Sequence, residues 1–297
     1  MNELKKICPI CQSKNLILYR TGNIQVEKLK ENDIKITDSQ YGKTWNLSQC
    51  QRCYYVFSNP VPSEGLIYSL YQKVEDPLYD EEAENRSLNF LRILSFLEKS
   101  IPEKGKLFDV GAATGILLKL ARERGWEIDG IEPSSWAVNY ALQKYNLKIR
   151  EGFFEQADLS SNGYQAVTMI DLVEHTPQPK KVITKAYQIL RKGGILCLVT
   201  PDIGSLGARL LGKRWWHFRP AHLSYFSQKS LKYLLESSGF EILSQRKYVW
   251  TFSLHYLLSR LKIFRILLKS QKISSFWKKI RLKLALGDSL EVYARKT

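Results

Sequence analysis

Leu107-Phe108-Asp109-Val110-Gly111-Ala112-Ala113-Thr114-Gly115 decides how this chain is read. Two apolar residues and an acid lead into a turn of small residues. A helical pattern then starts at once in Ile116-Leu117-Leu118-Lys119-Leu120-Ala121. The next apolar run, Glu127-Ile128-Asp129-Gly130-Ile131, ends on a second acid, Glu132. A strand, a tight turn, a helix and a second strand in that order suit a nucleoside-containing ligand. Small residues admit it to the backbone, and a carboxylate at the second strand end accepts from ribose hydroxyls.

A dinucleotide turn requires G-x-G-x-x-G, because its third glycine lets the helix begin close to the pyrophosphate. Here the glycines are Gly111 and Gly115, with Ala113 between them. The carboxylate of Asp109 would repel a pyrophosphate and suits a ligand carrying an ammonium group, which points to S-adenosylmethionine. Asp109, Gly111, Ala112, Ala113 and Gly115 are therefore the expected cofactor turn. An alanine at 113 fits only if the turn needs no positive φ there.

A chain of 297 residues, 44 % apolar and 25 % charged, buries a sizeable core and has room for two domains. Its first residues, Met1 to Cys8, lack a signal-peptide core, and no run of about 18 apolar residues occurs. The expected location is the cytoplasm, including the inner face of the membrane, where five cysteines stay reduced. The net charge of +16 is uneven: residues 1–100 carry 13 basic and 13 acidic side chains, residues 251–297 carry 11 and 2.

Residues 1–58 read as a zinc-ribbon-like module. Cys8-Pro9-Ile10-Cys11 and Cys50-Gln51-Arg52-Cys53 are two C-x-x-C knuckles, and two such pairs complete a four-sulfur site for a structural Zn2+. Strands are expected at Asp33–Thr37 and Thr44–Leu47. Residues 59–103 form a helical linker whose tyrosines, Tyr68, Tyr71 and Tyr79, are candidates to line a pocket. From 104 to 297 strands and helices alternate, with strands at 106–110, 127–132, 147–150, 165–170 and 194–199 and two late strands at 240–248 and 289–295. That pattern predicts an α/β, Rossmann-like fold with a seven-stranded sheet. Residues 250–287 insert between the last two strands. Nine Lys or Arg and no acid lie between His255 and Gly287, and apolar residues recur at helical spacing in Leu254, Leu257, Leu258, Leu261, Phe264 and Leu268. A helical cap and a peripheral membrane contact both fit a basic amphipathic insertion.

Ligands sit at the carboxyl ends of parallel strands. Ile170-Asp171-Leu172-Val173-Glu174-His175 ends the fourth strand, so Asp171, Glu174 and His175 are expected to face the cleft, with His175 the first candidate for a general base. His222 is the second. It closes Arg214-Trp215-Trp216-His217-Phe218-Arg219-Pro220-Ala221-His222, part of a segment, 204–226, read as the acceptor loop.

Taken with Leu190-Arg191-Lys192-Gly193-Gly194, Thr200-Pro201-Asp202 and Ser238-Gly239-Phe240, these segments resemble the class I S-adenosylmethionine-dependent methyltransferases of the Methyltransf_23 type. That type is related to the ubiquinone-biosynthesis O-methyltransferases. The resemblance implies that Asp109 and Gly111 to Gly115 contact the methionine part, Glu132 the ribose, and the backbone at Ile170 and Asp171 the cofactor from the next strand. In the quinone enzymes a Glu-x-x-Glu-His segment is implicated in holding a divalent cation, and this chain offers Asp171, Glu174 and His175 there. The expected reaction is O-methylation of a small-molecule, glycan or lipid-linked acceptor. An RNA methyltransferase and a sugar C-methyltransferase are the alternatives, and nucleic acid is the less favoured partner.

Overall fold

The alternating apolar runs form one seven-stranded sheet. The computed structural model describes residues 5–35, 37, 41–259 and 276–297. The strands are β1 (Lys106–Val110), β2 (Glu127–Glu132), β3 (Arg150–Glu151), β4 (Tyr164–Ile170), β5 (Leu190–Pro201), β6 (Phe240–Lys247) and β7 (Ser289–Lys296). Their order in space is β6-β7-β5-β4-β1-β2-β3. The first five run parallel, and β7 pairs antiparallel with both β5 and β6. Leu107–Val110 and Gly194–Pro201 are buried continuously rather than alternately, as parallel strands covered by helices on both faces must be. Chain direction away from β1 reverses between β1 and β4, and the crevice at that reversal lies outside the carboxyl ends of the strands.

The helices are set by their caps and apolar stripes. Ser134 Oγ accepts from Ala137 N at 3.1 Å and starts the helix Ser135–Tyr145. Ser227 does the same for Gln228–Glu236. The helix Ala83–Ser100 buries Phe90, Ile93, Leu94 and Leu97 against one face of the sheet.

The cysteine module is built into the rest of the fold. Its strands Leu16–Arg20, Leu47–Cys50 and Val56–Ser58 form an antiparallel sheet whose fourth strand is Ser224–Tyr225. Trp45 Nε1 donates to Pro220 O at 2.9 Å, and Trp45, Leu47 and Val56 share a core with Trp215, Phe218 and Tyr225. The strand expected at Asp33–Thr37 is absent among the described residues. Glu31–Asp33 is a single 3-10 turn and Thr37 is tied to the buried Asp76, while residue 36 lies outside the described residues. The third main-sheet strand is displaced to Arg150–Glu151, because Leu147 and Ile149 pack beside Ala141 instead.

The insertion starts as a hairpin rather than a helix. Trp250–Ser253 pairs with Arg281–Leu284, and among the described residues between them Leu254–Ser259 and 276–279 are helical. Leu261, Phe264 and Leu268 lie outside the described residues. Asn89 fastens the hairpin like a neighbouring strand: its Oδ1 accepts from Thr251 N at 2.9 Å and its Nδ2 donates to Thr251 O at 3.2 Å. Glu82 accepts from Ser253 N at 3.0 Å, Lys278 pairs with Glu81 at 3.0 Å, and Arg281 pairs with Glu84 at 2.7 Å. The described part of the basic insertion is thus a cap docked on the acidic start of the Ala83–Ser100 helix.

Candidate cofactor and acceptor site

The turn after β1 is held by the acid that ends β2. Glu132 Oε2 accepts from Ala113 N and Glu132 Oε1 from Ser134 N, both at 2.9 Å. Gly111 has φ +72, Ala113 φ +47 and Gly115 φ +78. The condition placed on Ala113 from sequence is therefore overturned: the alanine sits in the left-handed region. A non-glycine residue there costs about 1–2 kcal/mol. A hydrogen bond to a charged group contributes about 1.5–3 kcal/mol, enough to offset it. A Cβ at Gly111 would come within 2.7 Å of Leu172 Cδ1.

A large cavity opens over this turn. Asp109, Gly111, Ala112, Ala113, Glu132, Ile170 and Asp171 line it, as expected, together with Phe153 and Phe154 from beyond β3. Gly115 does not. A Cβ there would meet Leu147 Cδ1 at 2.9 Å and Ala141 Cβ at 3.2 Å, so this glycine brings two helices together instead of meeting a ligand. Tyr68, Tyr71 and Tyr79 all line the cavity, and Trp250 of the insertion closes it from above.

The lining is acidic. Asp76, Asp109, Glu132, Glu155 and Asp171 face Arg86, the one cation among the described lining residues. Burial pushes Asp109 up to about 7, against a 2.6 Å hydrogen bond donated by Thr168 Oγ1 and with Glu132 nearby. Burial also raises Glu132, and it lifts Asp171 to about 7 against the pull of the Arg86 and Arg219 guanidiniums. Arg86 donates from Nε to Tyr79 O at 3.2 Å and lies 3.8 Å over the Tyr79 ring. Sequence reading passed over it. The signal was its register: 86, 90, 93 and 97 share one helical face, so the arginine sits on the buried stripe.

At the end of β4 the expected residues divide. Asp171, at φ +49, and His175 line the cavity, whereas Glu174 turns inward and accepts from Thr200 Oγ1 at 2.9 Å. His175 Nδ1 lies 2.9 Å from Ala221 O, a carbonyl that only accepts, so this nitrogen carries the hydrogen. The Tyr71 hydroxyl lies 2.7 Å from the same nitrogen. The bare Nε2 lies 3.8 Å from Glu174 Oε1. His222 is behind His175, edge-on with ring centroids 4.7 Å apart, and does not line the cavity. Burial lowers both imidazoles, His175 to about 3, so both are neutral at physiological pH. Ligand atoms of Glu174, His175 and His222 lie within 4.8 Å of one another, and Glu174 Oε1 and His222 Nδ1 have no hydrogen-bond partner among the described residues.

Residues 80–245, more than half of the chain, match the family model described as a methyltransferase domain. The chain belongs to this methyltransferase family. It is 28 % identical over 135 residues to a ubiquinone biosynthesis O-methyltransferase of Leptothrix cholodnii, covering 41 % of this chain and 57 % of that protein. It is 31 % identical over 126 residues to the enzyme of the same name from Vibrio atlanticus, covering 39 % and 53 %. The chain spans about half the length of the curated relatives it matches. Among solved structures, a SAM-dependent methyltransferase from Archaeoglobus fulgidus superposes with a TM-score of 0.50 at 17 % identity, covering 74 % of this chain and 98 % of that one. A protein from Pyrococcus horikoshii gives 0.51 at 14 %, covering 76 % and 95 %. These two share the fold.

Relative to that fold, the cysteine module and segment 204–226 belong together. No residue of 204–226 lines the cavity. Trp215 is fully buried in the core shared with the cysteine module, and Trp216 Nε1 and His217 Nε2 converge on Asp288 Oδ2 at 2.7 and 3.1 Å. Among the described residues, the segment expected to bind the acceptor reaches the site from behind its lining, through Ala221 O and the His222 ring against His175 and through the Arg219 charge near Asp171. Its aromatics pack, as a core must, instead of stacking on a ligand.

The cysteines come together as the knuckles require. Cys8 and Cys53 Sγ are 3.6 Å apart, Cys11 and Cys50 Sγ 3.4 Å, and all four sulfurs lie within 4.8 Å. The edge of a Zn–S4 tetrahedron with ~2.3 Å bonds is about 3.8 Å, so the set fits such an ion. Each knuckle is followed by a left-handed residue, Gln12 at φ +60 and Tyr54 at φ +61. The backbone then folds back, with Gln12 N donating to Cys8 O and Tyr54 N to Cys50 O. The hydrogen bond from the Cys53 thiol holds Cys8 below the ordinary thiol range.

Proposed function

We propose that this chain transfers the methyl group of S-adenosylmethionine to an oxygen of a small-molecule, glycan or lipid-linked acceptor. The charge of the cavity carries this reading: five carboxyl groups and a single arginine suit a ligand with a sulfonium, an ammonium and one carboxylate, and would repel a pyrophosphate. Asp109 takes the ammonium and Arg86 the carboxylate. Glu132 accepts from the ribose hydroxyls with the lone pairs its two amide contacts leave over. The backbone at Ile170 and Asp171 flanks the methionine part, and Phe153 and Phe154 flank the adenine.

Methyl transfer from a sulfonium needs alignment more than covalent help, and a held near-attack geometry supplies it. Trp250 and Tyr79 close the acceptor end and exclude water. His175, kept neutral by burial, takes the acceptor's proton. The proteins named as ubiquinone biosynthesis O-methyltransferases support oxygen as the accepting atom. The four cysteines hold a structural zinc that fixes the sheet ending in Ser224–Tyr225.

A second reading of the β4 end is favoured by the two unpartnered atoms, Glu174 Oε1 and His222 Nδ1. Two buried atoms without a described partner, in a group whose ligand atoms lie within 4.8 Å and with His175 Nε2 3.8 Å from Glu174 Oε1, suit a divalent cation. His222 then takes the place expected of Asp171, and the cation would polarise the acceptor hydroxyl. Manganese should raise the melting temperature of the zinc-loaded wild type and not of His222→Ala. No shift in the wild type leaves His175 as the base.

Transfer of labelled methyl into a cell extract, split into lipid, glycan and RNA, tests the reaction. Label in the lipid or glycan fraction is expected. Label confined to RNA contradicts the acceptor class.

A further inference from the structure

The helix Leu206–Leu211 is inside out. Ser205 Oγ caps it by accepting from Ala208 N at 3.1 Å, so it is a defined turn of helix. Yet Leu206 is 74 % and Leu210 85 % exposed, and Leu211 is exposed as well. Only Ala208 is buried. A soluble helix places leucine against the core and charge outside, so this one presents its apolar face outward.

The charges around it have one sign. Arg209, Lys213 and Arg214 are exposed between and after the leucines. From Ile203 to Leu235 the chain has six Lys or Arg and no Asp or Glu. Two acids that adjoin this segment are spent inside: Asp202 is buried and paired with Lys247, and Asp288 is buried under Trp216 and His217. A Cβ at Gly207 would lie 3.9 Å from Asp288 Cβ, which sets the helix beside the residue that leads into β7. On the other side Gly42 approaches Lys213 O, next to the exposed Tyr41 and Lys43.

We propose that Leu206, Leu210 and Leu211, ringed by Arg209, Lys213 and Arg214, dock this protein on the surface of an anionic lipid bilayer. Leucines of this reach enter the acyl boundary, and the cations meet phosphate headgroups at the level where the leucines leave them. A protein partner would need carboxylates to match this ring and a flatter apolar area, whereas a bilayer supplies both layers at once. The helix follows β5 by five residues, at the same strand ends that carry the cavity. This surface is separate from the insertion 250–287 and from every residue placed in the cofactor site, and it does not depend on methyl transfer.

The test is sedimentation of the full chain with vesicles of phosphatidylcholine alone and of phosphatidylcholine mixed with phosphatidylglycerol, without cofactor. Wild type is expected to bind the anionic vesicles, more weakly as salt rises, and to stay off the neutral ones. Leu206→Ser with Leu210→Ser is expected to lose roughly tenfold in lipid partitioning, with S-adenosylmethionine affinity unchanged as proof of folding. Leu210→Asp alone, at a position already facing water, is the second variant and is expected to lose a similar amount. The proposal is overturned if wild type ignores anionic vesicles or if both variants bind them like wild type. It is equally overturned if the leucines instead hold two copies together, seen as a dimer that Leu210→Asp dissociates. Failure of methyl transfer with intact vesicle binding would count against the proposed reaction and not against this surface.

Discussion

Glu132 holds Ala113 in a conformation alanine avoids. Its Oε2 accepts from the amide of a residue at φ +47, while Oε1 fixes Ser134 at the start of the next helix. One carboxylate therefore shapes the turn after β1 and, in the proposed function, also accepts from the ribose hydroxyls. Glu132→Ala should lose both functions. It leaves the Ala113 amide without its partner and costs about 1–3 kcal/mol of stability. Cofactor affinity should fall by more than tenfold. Glu132→Gln keeps one acceptor oxygen and should melt closer to wild type while binding S-adenosylmethionine poorly. Denaturant titration and calorimetry on the two variants separate the roles.

Ala113→Gly tests the strain directly. Relief of the left-handed alanine contributes about 1–2 kcal/mol, and the added freedom of glycine in the unfolded chain removes about 0.5–1 kcal/mol. The variant should be as stable as wild type or slightly more so, with cofactor affinity retained. A clear loss of stability would show that this turn is not set as described.

Asp109 gives a pH signature. Its folded pKa, raised by burial to about 7 from a usual value near 3.8, means the native state keeps a proton that the unfolded chain has released. Stability from this group is therefore fully present at low pH and is lost as pH rises from about 4 to about 7, by an amount on the order of a few kcal/mol. Buried neutral His175 acts in the opposite sense, losing stability as pH falls below its unfolded value. The informative quantity is thus the stability of wild type minus that of Asp109→Asn, which should fall from pH 4 to pH 7 as wild type loses ground to the variant. The ammonium of the cofactor favours ionised Asp109, so wild-type affinity should rise over the same window and level off above it, with Asp109→Asn flat.

Arg86 and Asp109 together should distinguish ligands with and without the amino-acid group. Wild type is expected to prefer S-adenosylhomocysteine to methylthioadenosine by at least an order of magnitude, the scale of one charged hydrogen bond. In Arg86→Ala that preference should nearly vanish, while Arg86→Lys should keep part of it. If Arg86→Ala only lowers the melting temperature and leaves the preference intact, the arginine supports Tyr79 and does not meet the ligand.

Much of this was legible in the chain because its signals are local. The turn Asp109–Gly115, Glu132 and the two cysteine knuckles are short patterns whose geometry follows from adjacent residues. What stayed hidden depends on distant partners. Ala113 tolerates its φ because of a carboxylate nineteen positions on. Gly115 belongs to helix packing because Leu147 and Ala141 come to it. Segment 204–226 looked like an acceptor loop because aromatic and arginine content is the same in a binding site and in a packed junction. Only the pairing of Val56–Phe57 with Ser224–Tyr225 shows which it is.

That junction makes the zinc prediction global. Because Ser224–Tyr225 completes the cysteine module's sheet, removing the ion should destabilise the whole chain and not just its first 58 residues. Purified protein should carry one zinc per chain by atomic absorption, and Cys50→Ser should lose it with a lowered melting temperature. Retention of full stability in metal-free protein would contradict the shared core.

The central claim is that Leu107 to Gly115, with Glu132 and Arg86, forms an S-adenosylmethionine site. Calorimetric titration of S-adenosylmethionine into the cofactor-stripped full chain, beside Asp109→Ala, tests it most directly. Saturable binding of one ligand per chain, lost or weakened more than tenfold in Asp109→Ala, is the predicted result. No binding to folded wild type, or equal binding by Asp109→Ala, would contradict it.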